Sequence, residues 1–251
     1  MYKELTCIMD ISERMLVCGA EISRVEESIQ RMGKAFGAAR VDAFIITSSM
    51  VVTLHDGEHH AYTQTRRVQT IGTDIEALHA LNDLSRRICS EHLTVEQAEE
   101  AFRRAAQGKR YPKWIKGLSY GVISGSFALF FGGGWQDGAV SFGIGILLAA
   151  VVLLCERVRL NKIFAKFFCT FFATMLAFAA LKAGILSTVD HTIIGFIMTL
   201  IPGVGLTNAL RDLFVGDSIA GLLRTIEAVL FALAIAGGYL LAAFLMGGLA
   251  V

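Results

Sequence analysis

Polar chemistry in the apolar part of this chain is concentrated in one stretch, Leu200-Ile-Pro-Gly-Val-Gly-Leu-Thr-Asn-Ala-Leu-Arg-Asp-Leu213. Pro202 removes a backbone donor and clashes with the preceding turn, while Gly203 loosens the chain beside it. Carbonyls freed at membrane depth are tolerated only where protein or a water-filled cavity satisfies them. A helix broken in this way offers carbonyls and a dipole end to a polar or anionic solute. Thr207, Asn208, Arg211 and Asp212 follow, with Asn208, Arg211 and Asp212 spaced to share one helical face. Arg211 can hold a carboxylate, and Asp212 an ammonium group. The same residues also fit a plain kink followed by a solvated helix cap.

A second group lies beyond it. Asp217-Ser218 reads as an N-cap pair, and Arg224 and Glu227 follow three residues apart. Ionisable groups beside hydrocarbon face a bundle and pair with something. Here the partner is each other, Arg211 and Asp212, or a solute. Ser119, Tyr120, Ser124 and Ser126 accompany Gly121 and Gly125, so their hydroxyls either line a polar path or bond back to their own helix. The candidate binding set is therefore Ser124, Pro202, Gly203, Thr207, Asn208, Arg211, Asp212, Arg224 and Glu227.

Other chemistries find little support. His55, His59 and His60 flank a turn without fixed carboxylate geometry and read as solvated rather than metal-ligating. Arg66 and Arg67 suit an exposed charge pair better than an anion site. There is no G-x-S-x-G, P-loop or G-x-G-x-x-G. No catalytic residue, metal or cofactor is expected, and ATP-driven work by this chain is not. The five cysteines have no C-x-x-C spacing and read as reduced thiols.

The elements that must hold these residues fall into two unlike regions. Residues 1–117 carry 16 Lys/Arg and 16 Asp/Glu, and residues 118–251 carry the remaining 13 of the 45 charges. The boundary falls near 108–117, where Lys109, Arg110, Lys113 and Lys116 surround Pro112. A net charge of +1 gives no basic field for nucleic acid. A crossing helix needs about 20 mostly apolar residues. Five segments reach or approach that: 118–134, 138–155, 163–181, 192–206 and 228–249, the third with Lys166 near enough to its end to snorkel outward. Basic residues gather before the first span, between the second and third, and between the fourth and fifth. This asymmetry predicts the N-terminus inside and the C-terminus outside. Because Asp10, Glu13 and Arg14 interrupt the opening residues, no signal peptide is read and the first domain is expected in the cytoplasm.

Within residues 1–117, helical spacing of Ile8, Ile11, Met15 and of Ile22, Val25, Ile29, Met32 predicts two helices separated by Gly19. Strands are expected at 40–48, 50–55 and 60–67, and amphipathic helices at 74–89 and 94–106, the latter opening on a Thr94/Gln97 capping box. The fold class is thus an α-helical polytopic membrane protein of about five transmembrane helices, with a small α/β cytoplasmic domain at its N-terminus. The domains are 1–117 and 118–251.

Two motifs resemble the threonine/serine exporter family. One is Cys18-Gly-Ala-Glu-Ile-Ser-Arg-Val-Glu-Glu27. The other is Pro202-Gly203, Leu206-Thr207-Asn208-Ala209, Arg211-Asp212-Leu213, Gly216-Asp217 and Gly221. With the charged-then-apolar layout, the resemblance covers nearly all of the chain. It implies export of small polar metabolites across the inner (plasma) membrane, driven by an ion gradient. Full-length members carry about ten spans, so a five-span chain resembles the split form, in which a second membrane subunit supplies the other half as an inverted repeat. Split relatives are linked to dicarboxylates, notably succinate, rather than to threonine or serine. Arg211 and Arg224 could serve a dicarboxylate, and Asp212 or Glu227 the amine of an amino acid. A membrane-anchored metabolite sensor is the main alternative, and a membrane-anchored hydrolase lacks a visible nucleophile and base.

Overall fold

A computed structural model describes residues 1–106 and 111–247. Part of the boundary expected near 108–117, and the last residues of the fifth expected span, lie outside them. The chain divides into two compact units, Met1–Arg110 with Val204–Ile226, and Tyr111–Gly203 with Glu227–Val251.

The first unit opens on α1 (Tyr2–Val17) and α2 (Ile22–Ala35), whose apolar stripes are fully buried at Ile8, Ile11, Met15, Val25, Ile29 and Met32. Gly19 breaks them apart at φ +95°, and a Cβ there would lie 2.7 Å from the Gly72 carbonyl oxygen, so only glycine fits. A meander follows, β1 (Arg40–Ile46), β2 (Ser49–His55) and β3 (Ala61–Arg67), antiparallel in the order β1-β2-β3. Alternation along β2 buries Met50, Val52 and Leu54, with α1 packed on β2 and β3 and α2 on β1. The other face is mixed, with Phe44 exposed on it and Thr53 and Thr63 sharing a 2.8 Å hydroxyl contact across the strands. α3 (Ile75–Glu91) starts at Asp74, which accepts from the Ala77 N–H. α4 (Val95–Ala106) has the expected capping box, Gln97 Oε1 accepting from the Thr94 N–H at 2.9 Å. α9 (Gly203–Val215) and the first residues of α10 (Ser218–Met246) complete the unit, with Ala220 joining its apolar core.

The second unit holds α5 (Lys113–Phe130), α6 (Trp135–Arg157), α7 (Lys162–Lys182), α8 (Asp190–Ile197) and the rest of α10. α5 begins earlier than the apolar run suggests, directly after Pro112, whose fixed φ suits a helix start. Gly121, Gly125 and Gly145 let α5 and α6 approach closely. A Cβ on Gly145 would lie 2.6 Å from both Ser124 Oγ and the Tyr120 carbonyl. Only α6, α7 and α10 have, among the described residues, the length and apolar composition to cross a membrane. The run expected as a fourth span is two helices, because the chain turns between Ile197 and Gly203.

Candidate functional site

In the second unit the break is chemically specific. After α8 the chain tightens into i→i+3 bonds, Thr199 N–H to the Phe196 oxygen and Leu200 N–H to the Ile197 oxygen, and Pro202 leads into α9 at Gly203. The Leu200 carbonyl is left over, and the Lys166 ammonium of α7 donates to it at 2.5 Å. Lys166 is half-buried and turned to the break rather than outward, which corrects the expectation that it snorkels. A cation held by one neutral carbonyl keeps donor capacity for an anion. Ser124 is fully buried; its carbonyl accepts from Ser141 Oγ at 3.0 Å, while its own hydroxyl and that of Thr192 have no partner among the described residues. Glu227 is on the exposed side of α10.

The first unit collects the other candidates, and it joins the two motifs. Asn208 Nδ2 donates to the Gly19 carbonyl at 3.1 Å, and Arg211 Nη1 to Glu21 Oε1 at 2.8 Å. Arg224 Nη2 donates to the Ala20 carbonyl at 2.9 Å, while Arg224 Nη1 faces Asp212 Oδ2 at 3.4 Å, both side chains almost wholly buried. Arg224 thus pairs with Asp212 and not with Glu227. α2 has no side-chain cap of its own. The Asp212 carboxylate faces its first N–H, at Ile22, and so supplies the negative charge a helix start favours. Thr207 is exposed.

Burial raises the Asp212 carboxyl above the ordinary range, with Arg224 opposing, and burial followed by the nearby Asp217 charge raises Glu26. Both groups bind protons more tightly folded than unfolded. The stability they contribute is complete below their unfolded values, 3.8 and 4.5, and is lost as pH rises through the raised folded values. Glu26→Gln should therefore flatten the fall in melting temperature between mildly acidic and neutral pH. A melting curve with the same pH slope as the parent would refute this.

The histidines do not converge. His55 Nε2 contacts Asp42 at 3.0 Å, and His60 Nδ1 contacts Asp56 at 3.2 Å. Arg66 is engaged by Asp10 and Glu13 of α1 at 2.6 and 3.0 Å, a charge pair rather than an open anion site.

Comparison with known proteins decides the family. The chain matches the family model described as "Putative threonine/serine exporter" over residues 6–246. The chain belongs to the threonine/serine exporter family. It is 28% identical to the "Probable succinate transporter subunit YjjP" of Klebsiella aerogenes, across 93% of this chain and 90% of that protein. The Escherichia coli protein of the same name is 27% identical, over 91% of its length. The "Probable threonine/serine exporter" of Mycobacterium tuberculosis is 25% identical, but this chain covers 45% of it. No solved structure matches. As a member of the exporter family the chain is a membrane transport protein and not an enzyme.

For this exporter-family chain, sequence reading named Asn208, Arg211, Asp212 and Arg224, and offered Asp212 as a partner of Arg224, but did not name Glu21 or the carbonyls of Gly19 and Ala20 as partners. It also missed Lys166 as part of the break, and Ser141. The available signal for Lys166 was a lone ammonium in an apolar helix, where a charge faces a partner more often than lipid.

Proposed function

We propose that this chain is one subunit of a secondary transporter that exports small carboxylates, with a succinate-type dicarboxylate as the favoured substrate. The observation that carries the reading is the Lys166 ammonium set against the broken chain at Leu200–Gly203. Such breaks hold solutes in transporters, and a cation with spare donors suits a carboxylate. Similarity along nearly the full length of a protein named as a succinate transporter subunit favours a dicarboxylate and a second membrane subunit. Similarity to a threonine/serine exporter supports the amino-acid reading, over less than half of that protein. In this proposal α5 and α8 cross or line the membrane with α6, α7 and the apolar part of α10, the domains are 1–117 and 118–251, and the membrane is the inner (plasma) membrane. Ser124, Pro202 and Gly203 belong to the solute path with Lys166, and Glu227 to its edge. Thr207, Asn208, Arg211, Asp212 and Arg224 are assigned to control of α9 through the first motif.

The test is efflux of preloaded labelled succinate, threonine and serine from cells carrying this chain alone, or with its candidate partner. Succinate efflux only from the pair is expected. Lys166→Gln, which keeps a donor for the Leu200 carbonyl but removes the charge, should lower it about tenfold to a hundredfold, as for a lost charged hydrogen bond. Arg211→Ala should abolish efflux while the protein remains inserted. Normal succinate efflux from a well-expressed Lys166→Gln variant would remove Lys166 from the site. The basic links favour an N-terminus in the cytoplasm, so a periplasm-active reporter fused at Met1 should be silent; activity there would overturn the orientation.

A further inference from the structure

We infer that the first unit carries a second anion site, a groove between α2 and α3 that takes a short dicarboxylate. The groove encloses about 430 Å³, within the size of small-ligand sites. On α2 its wall is Arg24, Glu27, Ser28 and Arg31, spaced i, i+3, i+4 and i+7 along one helical face. On α3 it is lined by Asn82, Ser85, Arg86, Cys89 and Ser90, again one face.

The charge is unbalanced. Three guanidinium groups meet one carboxylate, Glu27, which is occupied by Arg31 of the same helix. Arg24 and Arg86 make no ion pair with any described residue, and both side chains are exposed, so the charges are open to a ligand. Cationic side chains of one sign tolerated along a shared groove mark a surface suited to an oxyanion. Their distribution selects its form. Arg24 and Arg31 are two helical turns apart, roughly 10.5 Å along the axis. Arg86 and Cys89 line the same groove, and the Arg31 charge acts on Cys89, so Arg31 marks the Cys89 end. Between the ends lie Glu27, paired with Arg31, and Ser28 and Ser85, both buried with their hydroxyls turned back to their own helices. The two unpaired guanidinium groups, Arg24 on the α2 wall and Arg86 on the α3 wall, suit a molecule with two anionic ends.

Arg24 also borders the small cleft formed by Gly19, Glu21 and Asn208, where the two motifs meet. An occupant drawing Arg24 into the groove acts on that contact, which gives the site a regulatory outlet. The inference is independent of the export reading, since the groove lies within the first unit and its test does not measure transport.

Cys89 provides the readout. It lines the groove and is partly exposed, whereas Cys7, Cys18, Cys155 and Cys169 are buried. The purified full-length protein in detergent is treated with N-ethylmaleimide, and alkylation of the Cys89 peptide is followed by mass spectrometry. Succinate is expected to slow that reaction at least threefold and saturably, sodium chloride of equal ionic strength to leave it unchanged, and phosphate to protect less than succinate. Arg86→Gln and Arg24→Gln, both at exposed positions, should each lose the protection while keeping the parent melting temperature. An unchanged Cys89 rate at high succinate, or full protection persisting in both variants, would overturn the site. Equal protection by phosphate would overturn the two-ended ligand.

Discussion

Arg224→Ala should cost the folded protein about 3–5 kcal/mol, the usual penalty for stranding one member of a buried ion pair. Asp212 is 1% exposed, and Arg224 is the cationic side chain facing it, at 3.4 Å. Alanine removes that charge and also the donor to the Ala20 carbonyl. A loss of this size consumes a large part of the stability of a typical domain. It should appear as a drop of about 10 °C or more in the melting temperature of the detergent-purified chain. The double variant Asp212→Leu/Arg224→Met removes both charges and approximates their volume, and should recover most of the loss, since apolar replacement of a whole buried pair is often neutral. A melting temperature within about 1 °C of the parent for Arg224→Ala would show that the pair is not buried as described.

Gly195→Leu should prevent the second unit from assembling. Gly195 of α8 meets α5 and α6 so closely that even a Cβ would lie 2.5 Å from the Ser124 carbonyl oxygen, 2.5 Å from Ser141 Oγ and 2.9 Å from Ala128 Cβ. The first of these is backbone and cannot rotate away. α8 would have to withdraw, and Ser141 Oγ would lose one of its two acceptors, the Thr192 carbonyl of α8 at 3.3 Å. Apolar helices in lipid gain little by hiding from their solvent, so close packing carries their association. Gly195→Ala should already cost about 1–3 kcal/mol, the range for overpacking. Gly143 on α6 provides the contrast, because nothing lies within 4 Å of a Cβ built there. Size-exclusion profiles should show Gly195→Leu aggregated and Gly143→Leu monodisperse. Equal behaviour of the two would refute the close contact.

The helices and strands of the first unit are legible because each leaves a local mark. β2 alternates, α1 and α2 carry apolar stripes, and Asp74 and Thr94 cap the helices they precede. The break after α8 is legible for the same reason, since proline and glycine act on their own neighbours. Crossing helices are harder to count, because α5 and α8 are apolar yet fall short of the length and composition of α6, α7 and α10. What holds the site together is not local. Arg211 reaches Glu21 across 190 residues, and Arg224 reaches Ala20 across 204. Charge and spacing expose the donors, but a backbone carbonyl acceptor has no sequence signature. Lys166 misled for a related reason: snorkelling outward and turning inward have the same residue type and the same distance from the helix end.

The meeting of α2 with α9 and α10 also sets a timetable for synthesis. When α1 to α4 leave the ribosome, Ala220 of the core and the Asp212 charge that faces the start of α2 do not yet exist. Residues 111–203 must be made first, which at ordinary elongation takes about 5–20 s. During that interval the first unit is a waiting half-structure, with no negative charge from Asp212 at the start of α2 and part of its core open. Its last pieces are then delivered by a segment that has already passed through the apolar helices. Chain order therefore makes the completion of the soluble-type fold a late event, conditional on successful manufacture of what lies between.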